Sequence, residues 1–274
     1  MDDKQNPPRI AIIGAGNIGV AIASGLADSG RFRPEHITLT RRRVELLGEL
    51  KARGFVIEPD NRRAVKSADV ILVAVEPQHM DHVLEEIAPD LTPGRHTVIS
   101  VVTGVSTRQI ARKVGDGVAI VRAMPNTAIA VRESMTCLAS DARDASALEV
   151  AQSIFETVGK TQVIEEAGMI AATALGACGV AFFLRAIRAA SQGGIEIGFH
   201  SKEALAIAAQ TARGAATLLL AAKNHPEYEI DRVTTPRGCT IAGLNQMEHE
   251  GFSSAMIKGI TTSAEKASKL YPSD

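Results

Sequence analysis

The chain has 274 residues, 45% hydrophobic and 22% charged, which is long enough for two domains with packed cores. Its 30 basic and 31 acidic residues give a formal charge of -1, and without a basic excess we expect no nucleic-acid partner. Aromatic residues make up only 3%, so the core must consist of small and branched aliphatic side chains.

The cysteines and the N-terminal residues predict a cytoplasmic protein. Cys137, Cys178 and Cys239 are widely spaced and form no CxxC pair, which excludes a disulfide scaffold and a cysteine zinc site. The residues 1–9 are polar, contain two prolines and are not followed by an apolar signal core. No metal site is expected from these residues.

The first half of the chain alternates short β-branched runs with helical patterns, which predicts a parallel, doubly wound sheet in an α/β fold. We expect strands at Arg9–Ile13, Ile37–Thr40, Gly54–Glu58, Val70–Val75, Thr97–Val102 and Val118–Met124, and weaker strands at Ser134–Ala139 and Thr161–Ile164. We expect helices at Ile18–Ser29, Val44–Arg53, Met80–Ile87 and Thr107–Val114.

After residue 164 the pattern changes to long helices that are rich in small residues. The predicted helices are Glu166–Cys178, Val180–Gly193, Lys202–Ala222, Ile241–His249 and Phe252–Ser268. The sequence therefore predicts an α/β domain at residues 1–164 and an all-helical domain at residues 165–274.

Part of the helical half is apolar enough to raise the question of a membrane. The stretch Ala167–Leu184 is uncharged, and its length is near the lower limit of about 17–25 residues for a spanning helix. Because it is rich in Ala and Gly, we expect a helix buried in an interface and no membrane partner. The segments Glu166–Gly193 and Lys202–Ala222 are apolar around most of their circumference, which predicts a homodimer.

A glycine motif, Gly14-Ala15-Gly16-Asn17-Ile18-Gly19, follows the first strand and opens the first helix. GxGxxG in this context indicates a Rossmann-type dinucleotide site. The first glycine allows the tight turn, the second lets the backbone approach a pyrophosphate, and the third lets helix and strand pack closely. Unpaired amides at the helix start would then bind the phosphates.

The end of the second strand bears on cofactor choice. NAD-binding proteins usually have an acidic residue about 20 positions after the motif, whereas here Thr40 is followed by Arg41, Arg42 and Arg43. Guanidinium groups suit a 2′-phosphate, which predicts NADPH in preference to NADH, with NADH still usable. A solvated basic turn is the alternative interpretation.

Other segments are informative but ambiguous. The fourth and sixth strands end in Ala74-Val75-Glu76-Pro77-Gln78 and Met124-Pro125-Asn126-Thr127, at the edge where ligands bind in open α/β sheets. The Asn126 amide could bind a ligand or fix a turn. The helix entry at Val233–Leu244 could cradle a carboxylate or be an ordinary helix cap. The group His79, Asp81 and His82 is interpreted as surface residues.

These residues resemble the pyrroline-5-carboxylate reductase family over nearly the whole chain. The resemblance rests on IGAGNIG, on AVEPQ at Ala74–Gln78, on RAMPNTAIAV at Arg122–Val131 and on TTPRGCTIAGL at Thr234–Leu244. It implies a Rossmann-type sheet followed by an all-helical dimerisation domain, and NADPH-dependent reduction of the cyclic imine 1-pyrroline-5-carboxylate to L-proline. It also implies a homodimer that can assemble into a larger ring of dimers.

The resemblance assigns roles to particular residues. Thr240 would contact the imine end of the substrate as the catalytic residue. The carboxylate would be held by Arg237, Gly238, Cys239 and Thr240, supplied to the site of the other subunit. The implied cofactor contacts are Gly14, Gly16, Asn17, Ile18, Gly19, Thr40, Arg41, Arg42, Asn61, Ala74, Val75, Glu76, Pro77, Val101, Thr103 and Asn126.

The chain departs from the family pattern at several positions. Glu76 replaces a lysine, Val180 a proline, Arg237 a glycine and Cys239 a threonine. If the replaced glycine needs a positive φ, Arg237 would strain the loop. Two alternatives therefore stay open: a related NADPH-dependent imine or hydroxy-acid reductase, and a non-catalytic NADP-binding sensor.

Overall fold

The computed structural model describes residues 7–141 and 144–271. Contacts divide the chain into two compact units. The first runs to Cys178 and includes the C-terminal residues from Ser263, and the second is Gly179–Thr262. The boundary expected after residue 164 stays a prediction, because a division by contacts is not a division into folding domains.

An 8-stranded sheet forms the centre of the first unit, in the order β3-β2-β1-β4-β5-β6-β7-β8. Its strands are β1 (Ile10–Ile13), β2 (Ile37–Thr40), β3 (Val56–Ile57), β4 (Val70–Val73), β5 (Thr97–Ser100), β6 (Ala119–Met124), β7 (Ser134–Ser140) and β8 (Gly159–Val163). β1 lies between β2 and β4, so the chain runs outward from it in both directions. The crevice of a doubly wound sheet is expected at this switch point.

The helices of the first unit surround this sheet. They are α1 (Asn17–Asp28), α2 (Gly48–Ala52), α3 (Asn61–Lys66), α4 (Met80–Ile87), α5 (Thr107–Val114), α6 (Ala145–Phe155) and α7 (Met169–Ala172). The second unit contains α8 (Gly179–Glu196), α9 (Ser201–Ala222), α10 (Pro226–Val233), α11 (Cys239–His249) and the first part of α12 (Phe252–Ala267). The expected fold class, a Rossmann-type sheet followed by a helical domain, is confirmed.

Alternation along the strands divides the core between the two faces of the sheet. Ile10 and Ile12 on β1 belong to one buried cluster, with residues of α1 and α6. Ala11 and Ile13 belong to the other, with residues of α3, α4 and α5. Because both faces are covered, the central strands read as continuous apolar runs, which is what made them predictable.

Two strands run against the expected direction. β7 is antiparallel to β6 and β8 is parallel to β7, so both run opposite to the other six strands, whereas the sequence predicted a parallel sheet. Only the 3-10 turn Thr127–Val131 and a few residues connect β6 to β7, and a parallel crossover needs about a dozen residues or more. Arg132, at φ 59°, adopts the left-handed conformation that ends the turn and reverses the chain.

Several helices also differ from expectation. α3, α6 and α10 were not predicted, because the first is short and the other two are interrupted by polar residues. The helix predicted at Glu166–Cys178 is instead a 3-10 turn, the short α7 and a π-helical turn at Thr173–Ala177. The π-turn is closed by the Cys178 N–H, which donates to the Thr173 carbonyl at 2.9 Å.

Two helical segments, Glu166–Glu196 and Ser201–Ala222, are long and apolar enough to cross a membrane by length and composition alone. Only 6% of the most apolar window of Ser201–Ala222 is buried. Phe183 on α8 and Leu220 on α9 are 61% and 79% exposed. The chain on its own therefore leaves these apolar faces uncovered.

A buried histidine gives the fold a predictable pH dependence. His96 is 2% exposed, and its Nδ1 accepts the Thr92 N–H at 2.8 Å. Burial, helped by the charge of Arg95, lowers the pKa of His96. The unfolded histidine takes up a proton near pH 6.5, whereas the folded one does so only at lower pH. The contribution of His96 to the free energy of unfolding is therefore present above about pH 6.5 and is lost as the pH falls below that value.

We expect His96→Asn to flatten this dependence, since the Asn oxygen can still accept the Thr92 N–H but does not titrate. The measurement is the free energy of unfolding in urea at pH 7.5 and 5.5. The native protein should lose more stability between these values than the variant, while His82→Asn, at an exposed position, should behave like the native protein. Equal losses in the native protein and His96→Asn would contradict this account.

Candidate dinucleotide site

The turn between β1 and α1 has the geometry that the glycine motif predicts. Gly14 has φ +97°, and a Cβ there would lie 2.7 Å from the Ala74 carbonyl oxygen. A Cβ at Gly19 would lie 2.5 Å from the Gly14 carbonyl oxygen. Glycine is therefore required at the first position by conformation and contact, and at the third by helix–strand packing.

Gly16 differs from Gly14 and Gly19 because no contact within the described protein requires a glycine at this position. A Cβ at this position would meet no atom of the described chain within 4 Å. Gly16 is the N-cap of α1, and within the described residues no side chain caps the helix and no acidic residue lies in its first turn. The start of α1 is thus open beside Gly16 and has no side-chain cap, which is an arrangement that fits a phosphate group.

Thr40 supports the glycine turn from the end of β2. It is 2% exposed, its carbonyl accepts the Ala15 N–H at 2.7 Å, and its hydroxyl accepts the Gly14 N–H at 3.4 Å. Arg41 is half-buried and Arg42 is exposed immediately beyond it. The structure therefore places the two arginines on the same edge as the glycine turn.

The turn after β4 closes the other side of this edge. Ala74 donates its N–H to the Ile13 carbonyl at 2.8 Å, and Val75 lies close enough to touch a Cβ at Gly14. Glu76 and Pro77 follow, as predicted from the AVEPQ segment. The structure thus brings residues from the first, second and fourth strand ends together.

The remaining predicted contacts lie nearby in the fold. The Val101 N–H donates to the Val73 carbonyl at 3.0 Å, so the half-buried Val101 and Thr103 continue from β5 beside the end of β4. Asn61 begins α3 and donates its amide to Glu86 Oε2 at 2.8 Å. Cofactor roles for these three residues stay predictions.

The hydrogen bonds of Asn126 support the turn interpretation. Its side-chain oxygen accepts the Ala128 N–H at 3.0 Å, and its side-chain nitrogen donates to the Gly176 carbonyl at 3.2 Å. Asn126 is only 8% exposed. Its amide therefore links the turn after β6 to the π-turn, and its role in cofactor binding stays a prediction.

In the second unit, the predicted substrate residues form a tight turn before α11. The Gly238 N–H donates to the Thr235 carbonyl at 2.9 Å, with Pro236 and Arg237 at the two central positions. Arg237 has φ 64°, so this is a type II turn, which favours glycine at the third position. The positive φ on which the expected strain at Arg237 depends is therefore present, and the strain itself stays a prediction. Cys239 and Thr240 then open the first turn of α11.

We expect Arg237→Gly to stabilise the protein by about 0.5–1 kcal/mol, because a left-handed residue with a Cβ costs more than the added freedom of glycine in the unfolded chain. The urea midpoint measures this. Arg232→Gly, inside α10, is the matched control and should lower stability by about 1 kcal/mol. A fall in stability in Arg237→Gly would show that the side chain contributes more than the strain costs.

Sequence reasoning missed a buried ion pair beside β6. Arg122 is 5% exposed, and its guanidinium lies 3.2 Å from Glu166 Oε1. Glu166 also accepts the Thr107 N–H at 2.7 Å and the Thr107 hydroxyl at 2.5 Å, at the start of α5. Burial lowers the pKa of Arg122, against the opposing effect of Glu166. An arginine within the apolar run VAIVRAM was the available signal for a buried partner.

His79 and Asp81, which follow β4, have separate partners. Arg42 approaches His79 at 3.3 Å, and Tyr271 donates its hydroxyl to Asp81 at 2.5 Å. Within the parts of the chain that the structure describes, no group of three or more His, Cys, Asp or Glu residues is placed to hold a metal ion.

Comparison with known proteins agrees with this geometry. A family model described as "Pyrroline-5-carboxylate reductase dimerisation" matches residues 166–270, and one described as "NADP oxidoreductase coenzyme F420-dependent" matches residues 9–104. Pyrroline-5-carboxylate reductase 2 of Dictyostelium discoideum is 48% identical, over 97% of this chain and 94% of that protein. Pyrroline-5-carboxylate reductase 1 of the same organism is 52% identical over 96% of this chain, which spans about half (50%) of that relative's length.

Solved structures show the same fold. The pyrroline-5-carboxylate reductase of Coxiella burnetii matches with a TM-score of 0.88 and 30% identity, over 98% of this chain and 100% of that one. Pyrroline carboxylate reductase of Plasmodium falciparum, solved with NADP bound, matches with a TM-score of 0.87 and 22% identity, over 98% and 100%.

The fold and the matching family models together define an NADP-dependent oxidoreductase with a Rossmann-type sheet and a helical C-terminal half. The sequence relatives narrow this class further. The chain belongs to the pyrroline-5-carboxylate reductase family.

Proposed function

We propose that this chain reduces 1-pyrroline-5-carboxylate to L-proline with NADPH. The observation that supports this most is the open space at Gly16, at the start of α1, in a chain of this family. At Gly14 and Gly19 an added Cβ would collide with other atoms of the protein, whereas at Gly16 it would not. Gly16 is therefore the motif position at which a ligand can approach the backbone. The charge of a pyrophosphate suits the backbone amides at the start of this helix.

The dinucleotide would be held along the edge formed by the ends of β1, β2 and β4. When bound, it supplies the hydride that reduces the C=N bond. Asn17, Ile18 and Gly19 lie in the first turn of α1, where backbone amides would bind the pyrophosphate. Arg41 and Arg42 would bind the 2′-phosphate, which gives the preference for NADPH over NADH.

The helix entry at Gly238–Thr240 would bind the substrate. The amides at the start of α11 suit a carboxylate, and the Arg237 guanidinium adds a cation beside them. The Thr240 hydroxyl would hydrogen-bond the ring nitrogen of the imine, and we propose that this turn acts in the site of the second subunit. A protonated imine is already electrophilic, so the protein's main task is to orient the partners and exclude water, worth up to about 7–11 kcal/mol.

A second copy of the chain would cover the exposed apolar faces of α8 and α9. Phe183, Leu184 and Leu220 are each more than half exposed, at 61%, 59% and 79%. We propose a homodimer through residues 165–274, able to form a larger ring, and a cytoplasmic location without membrane or nucleic-acid partners. Three free cysteines fit a reducing compartment.

The experiment is a paired measurement of NADPH binding and NADPH oxidation. Purified protein is titrated with NADPH and NADH, and turnover is followed with 1-pyrroline-5-carboxylate, with its six-membered homologue and with small 2-keto acids. Turnover with the five-membered imine and NADPH is expected. Turnover only with another substrate would favour the related-reductase alternative, and binding without turnover would favour the sensor, which the departures at Glu76, Val180 and Arg237 would explain.

A further inference from the structure

Two loops from opposite sides of β1 meet at the candidate cofactor edge. Arg42, which follows β2, approaches His79, which follows β4, with 3.3 Å between a terminal guanidinium nitrogen and Nε2 of the imidazole. Since β2 and β4 flank β1, this contact joins the two sides of the edge that carries the Gly14–Gly19 turn. The ends of both side chains are therefore close to the place where a 2′-phosphate is expected.

A carboxylate also faces the same imidazole nitrogen. Glu76 Oε2 lies 3.9 Å from His79 Nε2, and it accepts the Gln78 amide at 2.6 Å. The guanidinium is always protonated and can only donate, so it needs a lone pair on Nε2. The carboxylate can only accept, so it favours a proton on Nε2. The two neighbours thus favour different tautomers of the His79 ring.

The side chains are accessible to a ligand. The side chains of His79 and Glu76 are 41% and 71% exposed, and Arg42 is also exposed. Other charged groups on α4 have different partners: Asp81 accepts from Tyr271 and lies 3.8 Å from Lys113, and Glu86 accepts from Asn61. The charged neighbours that face the His79 ring are therefore Arg42 and Glu76.

We propose that His79 is a second ligand of the cofactor's 2′-phosphate, beside Arg42. This inference rests on the proposed function. A phosphate oxygen between the two nitrogens would accept from Arg42, which removes the need for a lone pair on His79 Nε2. The imidazole can then carry its proton on Nε2, the tautomer that Glu76 favours, and donate it to the phosphate. NADH has no such group, so its binding leaves the Arg42–His79 contact in place.

The experiment uses the intact protein and two probes, adenosine 2′,5′-bisphosphate and 5′-AMP, which differ only in the 2′-phosphate. Calorimetric titrations give the affinity of each protein for each probe. The variants are His79→Ala, the matched control His82→Ala on the same helix start, and Arg42→Ala. Neither histidine forms a side-chain helix cap in the described structure, so both variants should fold.

We expect His79→Ala to weaken binding of the bisphosphate about 10-fold and to leave binding of 5′-AMP unchanged, whereas His82→Ala should leave both unchanged. Equal affinity of the native protein and His79→Ala for the bisphosphate would overturn the inference alone, as would an equal loss for both probes. If the native protein binds the two probes with equal affinity, and Arg42→Ala does so too, the proposed NADPH site is also wrong.

Discussion

A Gly16→Ala variant should fold like the native protein but bind NADPH about 100-fold more weakly. An added methyl group meets no described atom within 4 Å, and Gly16 has a φ of -82° that alanine adopts readily. The same methyl group would occupy the space through which the backbone approaches the pyrophosphate. A 100-fold loss corresponds to about 2.8 kcal/mol of binding free energy, which is the size of effect that a steric conflict of this kind produces. Fluorescence titration with NADPH and thermal unfolding measure the two effects separately.

The matched variant is Gly14→Ala, in which the primary effect should be on stability and not on NADPH binding. Here φ is +97° and the Cβ would lie 2.7 Å from the Ala74 carbonyl oxygen, so the turn itself must move. We expect a loss of roughly 2–4 kcal/mol in the free energy of unfolding, with weaker NADPH binding as a consequence of the distortion. Native NADPH affinity in Gly16→Ala would contradict the placement of the pyrophosphate, whatever the result at Gly14.

The fold was largely predictable because its central strands are buried on both faces. Ile10–Ile13 and Val70–Val73 are fully buried, so their sequences are apolar without alternation and are easy to recognise. The direction of β7 was not predictable, because the apolar pattern of a strand does not show which way it runs in the sheet. The short connection through Arg132 determines the direction. The helices α3 and α6 were missed because their apolar faces are narrow or mixed with polar residues.

The candidate site was predictable where a residue type is required by local conformation. The glycine motif is of this kind, and so is the positive φ of 64° at Arg237, which followed from a glycine position in the family pattern. The contacts of His79 and Asn126 were not predictable, since each depends on a partner distant in the chain: Arg42 in one case and Gly176 in the other. When two polar residues are far apart in the chain, only the folded structure reveals that they are hydrogen-bonded.

Thr240→Ala should lower kcat/KM for 1-pyrroline-5-carboxylate by about 100–1000-fold, which is typical when one donor to a reacting group is removed. Thr240 is the second residue of α11, and Gly238 is the N-cap, so the threonine hydroxyl is not needed to start the helix. Alanine is also a good helix former, and folding should be unchanged. Steady-state kinetics at saturating NADPH measure the effect, and NADPH affinity should stay as in the native protein.

Two further variants separate the hydroxyl from the shape of the side chain. Thr240→Ser keeps the donor and should retain most of the activity, whereas Thr240→Val keeps the shape and should be as impaired as Thr240→Ala. If Thr240→Val is active, reduction does not need a hydrogen bond from this hydroxyl to the ring nitrogen. The turn would then serve only to bind the substrate carboxylate. Loss of activity in all three variants, with native NADPH binding, would instead indicate that the side chain positions α11 and makes no bond to the substrate.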